Sequence, residues 1–332
     1  MNDLIEKLVT TYGPSGFEGN VRDIIRAEIE AYADNITTDP MGNLIVHKKG
    51  DGSGLKVMIA AHMDEIGVMV THITDKGYLR FTNIGGVGAR TLSGNRVLFE
   101  NGTIGVVYGD RNTNATAVSG LDKHYIDVGA TSKADCPVGV GDAAVFQRDF
   151  FAQGTRLTSK AMDDRIGCVV AIETLKRLAA TGTPHEVYFV FSTQEEVGVR
   201  GAQTAANALT PDVGIALDVT LTGDMHEGVE MAVELGAGAA IKAKDAGMIS
   251  HVGLVRLMKK RAAEANIAHQ IEVLAGGTTD ARAMQIAGPG SAAGCISIPC
   301  RYVHSQSETV DSRDVEACIA LLTEVLRQEM PL

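Results

Sequence analysis

The chain has 332 residues, enough for a large core and more than one domain. Hydrophobic residues make up 45% and charged residues 21%, the ordinary balance of a soluble globular chain. A net charge of -11 argues against nucleic acid as a partner, and no apolar run approaches the roughly 20 residues of a membrane span.

The opening stretch MNDLIEKLVTTYG places Leu4, Ile5, Leu8 and Val9 on one face of a short helix. It lacks a basic leader and a small-residue cleavage site, so no signal peptide is expected. A Gly/Pro turn, GPSGFEGN, leads to a second helix carrying Val21, Ile24, Ile25 and Ile29. Residues 43–46 and 55–61 read as strands. From 68 to 157 helical periodicity stops, and short alternating runs appear at 78–81, 96–99, 104–108, 125–128 and 143–146. Asn101-Gly102 between two of them signals a hairpin. Helical spacing returns at 166–178, followed by a strand at 187–191, a helix at 249–265, a strand at 271–274 and a last helix at 315–327, with Asp311 or Ser312 as its cap.

The expected architecture is an α/β domain of 1–67 and 158–332, a mixed central sheet flanked by helices, with an inserted all-β, barrel-like domain at 68–157. The cysteines, Cys136, Cys168, Cys295, Cys300 and Cys318, include no CxxC pair. They read as small buried hydrophobes in a reducing cytoplasm.

Chemistry gathers at strand ends. Residues 55–61 end on His62, with Asp64 two further on; 187–191 leads to Glu195-Glu196; 213–217 ends on Asp218; 295–298 leads to His304; and Asp163 opens the helix of 166–178. Ligands bind outside the carboxyl ends of strands in open α/β sheets. Two His and several carboxylates there suit a pair of divalent metals. With Asp163, Glu196, Asp218, His62 and His304 as ligands, three negative charges meet four positive ones. One positive charge remains to polarise water or a carbonyl. Asp163, at a helix start between the strands, is the natural bridge. Asp64 is too close in sequence to His62 to share its ion and suits the far ring nitrogen of that His. In the Glu195-Glu196 pair one carboxylate binds metal and the other shuttles a proton; spacing alone permits either order. Asp164 and Arg165 are equally open to a role in the site or to capping and pairing at a helix start, Asp280 to lining the pocket or capping a helix, and His72, His124 and His251 read as surface residues rather than ligands. There is no GxSxG elbow and no P-loop lysine.

In this order and around this insert, AHMDEIG, KAMDDR, TQEEVG, ALDVT and PCRYVHS resemble the tetrahedral, self-compartmentalising dimetal aminopeptidases. That family includes glutamyl and deblocking aminopeptidases and some endoglucanase-labelled members. The resemblance spans nearly the whole chain. It implies His62 and Asp218 on one metal, Glu196 and His304 on the other, Asp163 bridging, Glu195 as general base and Asp64 supporting His62. It also implies zinc or cobalt, short peptides cleaved from the N-terminus by metal-activated water, dimerisation through the insert (DKHYIDVGA), and a dodecamer built from dimers, with His124 a candidate to reach a neighbour's pocket. LGAGAAIKAKD departs from the Gly-Pro of many relatives near the substrate pocket. An N-acyl deacylase or carboxypeptidase is the nearer alternative. An endo-glycosidase would need neither His, and a non-catalytic assembly protein would not need the full ligand set.

Overall fold

The computed structural model describes residues 1–109 and 120–332. Two helices open the chain, α1 (Asn2–Thr10) and α2 (Gly19–Ile29), followed by β1 (Asn35–Thr38), β2 (Leu44–Lys48) and β3 (Lys56–His62). Six strands then form a closed barrel: β4 (Gly67–Ile73), β5 (Leu79–Ile84), β6 (Arg96–Phe99), β7 (Ile104–Gly109), β8 (His124–Asp127) and β9 (Ala143–Phe146). Its own core holds Val68, Leu79, Val97, Phe99, Val107 and Ile126. The Asn101-Gly102 hairpin joins β6 and β7, with Gly102 at φ 85° as the turn requires.

The chain returns to the large sheet through β10 (Phe151–Gln153) and β11 (Arg156–Ser159), then α3 (Met162–Thr181), β12 (Glu186–Ser192), α4 (Arg200–Leu209) and β13 (Val213–Thr220). It ends with β14 (Ala239–Lys244), α5 (Val252–Glu264), β15 (His269–Val273), α6 (Asp280–Ile286), β16 (Ala292–Arg301), β17 (Glu308–Asp311) and α7 (Ser312–Leu326). The large sheet is mixed, in the order β1-β2-β12-β3-β13-β16-β17-β11-β10, with β14 and β15 attached beside β16. Residues 151–157, placed in the expected insert, instead fall in β10 and β11, which pair with each other, and β11 pairs with β17 in this sheet. The barrel strands therefore stop at Phe146.

The central strands β12, β3, β13 and β16 run parallel, and β3, β13 and β16 are buried almost throughout, as strands covered on both faces must be. Odd-numbered side chains, Val57, Ile59, Ile215 and Leu217 among them, join the larger core with α1, α2, α3, α5 and α7. Even-numbered Met58, Ala60 and Ala216 face a smaller, alanine-rich core with α4 and α6. This alternation positions the site. Two residues beyond the paired Ala60 and Ala216, His62 and Asp218 project toward the thinner face.

A buried ionic cluster fixes the segment that leads from β3 into the barrel. Glu65, at the entrance to the barrel, accepts both 2.7 and 2.8 Å bonds from Lys160 Nζ and a 3.3 Å bond from Arg165. Arg165 is fully buried and also donates to the carbonyls of Leu8, Thr11 and Gly13. It is thus an interior anchor for the N-terminal loop. Among the described residues no helix is long and apolar enough to cross a membrane.

Candidate metal and catalytic centre

The predicted site residues converge. Asp163 lies in the first turn of α3, where its own dihedrals and those of Asp164 are not helical. This turns its carboxylate outward between two imidazoles. Oδ1 is 3.0 Å from His62 Nε2, and Oδ2 is 3.3 Å from His304 Nε2. Glu196 Oε2 is 3.3 Å from the same His304 nitrogen, and Glu195 Oε2 is 4.0 Å from His62 Nε2. Asp218 completes the group inside β13, since that strand continues to Thr220 rather than stopping at Leu217. Ligand atoms of His62, Asp163 and Glu196 lie within 4.8 Å of one another, and so do those of His62, Asp164 and Asp218. His304 sits in a tight turn after β16, at φ 60°.

Asp64 does more than face His62, whose Nδ1 is 3.1 Å from its backbone carbonyl oxygen and 3.4 Å from its Oδ1. Its two oxygens accept the backbone N–H groups of Glu195 and Glu196 at 3.0 and 3.1 Å and the Ser15 hydroxyl at 2.6 Å. One buried residue therefore fixes the imidazole, through its carbonyl and carboxylate, and through the carboxylate the loop carrying both glutamates. Glu18 accepts the Gln194 N–H at 3.1 Å, adding a second hold on that loop. Glu308 accepts the N–H of Asp163 at 3.0 Å and that of His304 at 2.8 Å. Ser15, Glu18 and Glu308 were not singled out from the sequence. The first two lie in GPSGFEGN, whose polar residues read as ordinary turn chemistry, and Glu308 lies four residues past His304.

Asp280 is buried beside the group and is no cap, a role taken by Thr279. It accepts the Ser192 hydroxyl at 2.5 Å, and its other oxygen has no partner. Asp164 accepts the N–H groups of His62 and Gly167. His251 caps α5 and His72 is exposed. His124 is 4% exposed, not a surface residue, and its Nδ1 is 3.0 Å from the Gly120 carbonyl in its own barrel. The barrel also reaches the site. A side chain at Gly86 would overlap the His304 ring, and Gly85 packs on Glu196.

The electrostatics show what this cluster lacks. Burial raises Asp218, Glu195 and Glu196 above the ordinary carboxylate range, and neighbouring carboxylates raise them further. Burial raises Asp280 to about 6. Burial opposes charge on the two imidazoles, but adjacent carboxylates outweigh it. They hold His62 well above its usual value and push His304 up to about 12. Glu196 Oε1 is buried with no hydrogen-bond partner. Unmatched negative charge, an orphaned carboxylate oxygen and a mixed N/O donor set all fit divalent cations. The group opens on a cavity of about 980 Å³ lined by Asp163, Glu195, Glu196, Asp218 and His304 on one side. Val199, Leu221, Val229, Met231, Leu274 and Val303 are among its apolar lining.

Comparison with known proteins identifies the family and the fold. The M42 glutamyl aminopeptidase family matches residues 42–321. The chain is similar to aminopeptidase APDkam598 from the archaeon Desulfurococcus kamchatkensis, with a TM-score of 0.95 and 40% identity over 99% of this chain and 95% of that one. It is 36% identical to a lysyl aminopeptidase of Pyrococcus furiosus, covering 99% of this chain and 98% of the relative. It also resembles the TET1 peptidase of Pyrococcus horikoshii, a protein that can assemble into a tetrahedron or a large octahedral shell. That match has a TM-score of 0.89 and 34% identity, over 98% of this chain and 99% of the other.

Proposed function

The chain belongs to the M42 glutamyl aminopeptidase family, and on that premise we propose that it is a dimetal aminopeptidase removing the first residue from short peptides with a free α-amine. The observation carrying this reading is the Asp163 carboxylate held between His62 and His304, one oxygen toward each, with an unsatisfied Glu196 oxygen alongside. His62 and Asp218 would hold one ion, Glu196 and His304 the other, and Asp163 both; zinc or cobalt suits this donor set. Such a pair supplies Lewis-acid polarisation of the scissile carbonyl and of the attacking water.

The chain's own residues do the rest. Glu195 takes the proton of the attacking water and returns it to the leaving amine. Asp64 keeps the His62 ring oriented and, through the Glu195 N–H, keeps the base in place. The apolar cavity wall receives the first side chain and displaces water from around the scissile bond.

Two results are expected of the purified protein. Chelation abolishes hydrolysis of aminoacyl substrates, and adding back a divalent ion restores it. N-acetylation of a matched peptide, which removes the amine's charge, nearly abolishes cleavage. Full activity in a preparation shown by elemental analysis to be metal-free would sink the metal reading. Equal rates on free and acetylated peptides would point to a deacylase.

The barrel is the proposed pairing surface between subunits. On β7 the side chains of Ile104, Val106 and Tyr108 alternate outward and are 44–49% exposed, an apolar row an isolated subunit would leave in water. The TET1 relative assembles into closed shells, which supports a homo-oligomer here, a dimer at least and a dodecamer as the full assembly. Light scattering coupled to gel filtration should find it; a fully active monomer at micromolar concentration would refute it. The five unpaired cysteines suit a cytoplasmic setting.

A further inference from the structure

Lys242, in the LGAGAAIKAKD segment, forms part of the cavity wall yet is 1% exposed. Its Nζ is 2.5 Å from Glu272 Oε1, which also accepts the Thr220 hydroxyl at 2.7 Å. Glu272 is fully buried, and its Oε2 has no hydrogen-bond partner. Asp245, equally buried, turns another unpartnered oxygen, Oδ2, to 3.9 Å from Lys242 Nζ. Lys242 and Thr220 line the cavity, whereas Glu272 and Asp245 lie behind them. Two buried carboxylates thus stand at the back of the wall, and one ammonium on a four-carbon stem plugs the way to them.

Resting on the aminopeptidase reading, we propose that Lys242 occupies the position a substrate's lysine or arginine head group would take, so that the pocket refuses basic first residues and Lys242 is the side chain responsible. A second cation brought to this wall would meet that ammonium first, with both carboxylates behind it, in a medium where like charges repel far more than in water. Lys244 and Arg282 line the same cavity, and among the described residues neither has a carboxylate within ion-pair distance to offset it. Neutral side chains meet no such penalty against Leu221, Met231 and Leu274.

The test compares kcat/KM for leucyl and lysyl peptides of otherwise identical sequence on the metal-loaded, assembled enzyme. The lysyl-to-leucyl ratio should be below about 0.01 in the unaltered protein and rise at least ~10-fold in Lys242→Ala, the scale on which charge complementarity sets specificity. Adding Glu272→Gln to that variant removes the uncovered carboxylate and should cancel the gain. Lys242→Gln, which fills the volume and can still donate to Glu272, carries the comparison where Lys242→Ala does not fold, with a smaller rise expected. Failure of the unaltered enzyme to cleave either peptide would overturn the aminopeptidase reading itself. A ratio near one in the unaltered enzyme, or a ratio unmoved in the folded variants while leucyl turnover persists, would overturn the role of Lys242.

Discussion

Replacing Glu195 by Gln lowers kcat by about 10²–10⁴-fold, the usual range for loss of a general acid–base group, while metal content and KM stay close to normal. The amide keeps the shape of the side chain but cannot take a proton. Metal content is expected to survive because the loop is held at its backbone, by Asp64 and Glu18, rather than through the Glu195 side chain. Glu196→Gln behaves differently. Its carboxylate faces His304 and has an unsatisfied oxygen, so the substitution weakens metal binding, and activity returns in part at high metal concentration. Elemental analysis alongside steady-state kinetics separates the two outcomes. If Glu195→Gln empties a site and Glu196→Gln does not, the roles are reversed.

Asp163→Ala removes activity altogether and strips both ions, or leaves one weakly held. A single carboxylate stands between His62 and His304, so its loss withdraws a ligand from both sites at once and leaves the remaining carboxylates to repel one another. The fold should persist, because Asp163 is held to its neighbours through its backbone N–H on Glu308 and α3 is anchored further along by its apolar face. Circular dichroism would show a native spectrum, and isothermal titration with zinc would show the lost affinity. Retention of two tightly bound ions in Asp163→Ala would exclude the bridge.

The hold on the Glu195-Glu196 loop comes from a feature no local pattern reveals, the Asp64 carboxylate accepting backbone N–H groups 131 and 132 positions away. The sequence by itself determined what depends on near neighbours. Hydrophobic runs set strands β3, β12, β13 and β16 in the middle of a sheet, and metal-binding side chains at or just past the ends of those runs became candidates because ligands bind outside the carboxyl ends of strands in open α/β sheets. The loss of helical spacing after Val68 likewise marked the barrel, and Asn101-Gly102 its hairpin.

Pairing across the chain belonged to the tertiary structure. Residues 151–157 lie in the expected insert by sequence position, and only the pairing of β10 with β11 and of β11 with β17 assigns them to the large sheet. Helix α4, absent from the expected elements, buries Gly201, Ala202, Ala205 and Ala206 on one face against the sheet. Ser15, Glu18 and Glu308 are polar residues in turns until folding buries them against backbone donors of the site. Lys242 and Glu272 belong to strands β14 and β15, which meet only through sheet pairing, and each alone would read as a solvated charge. A buried charge must find a partner or be neutralised. Which partner it finds depends on distances that the fold sets and that sequence spacing does not contain.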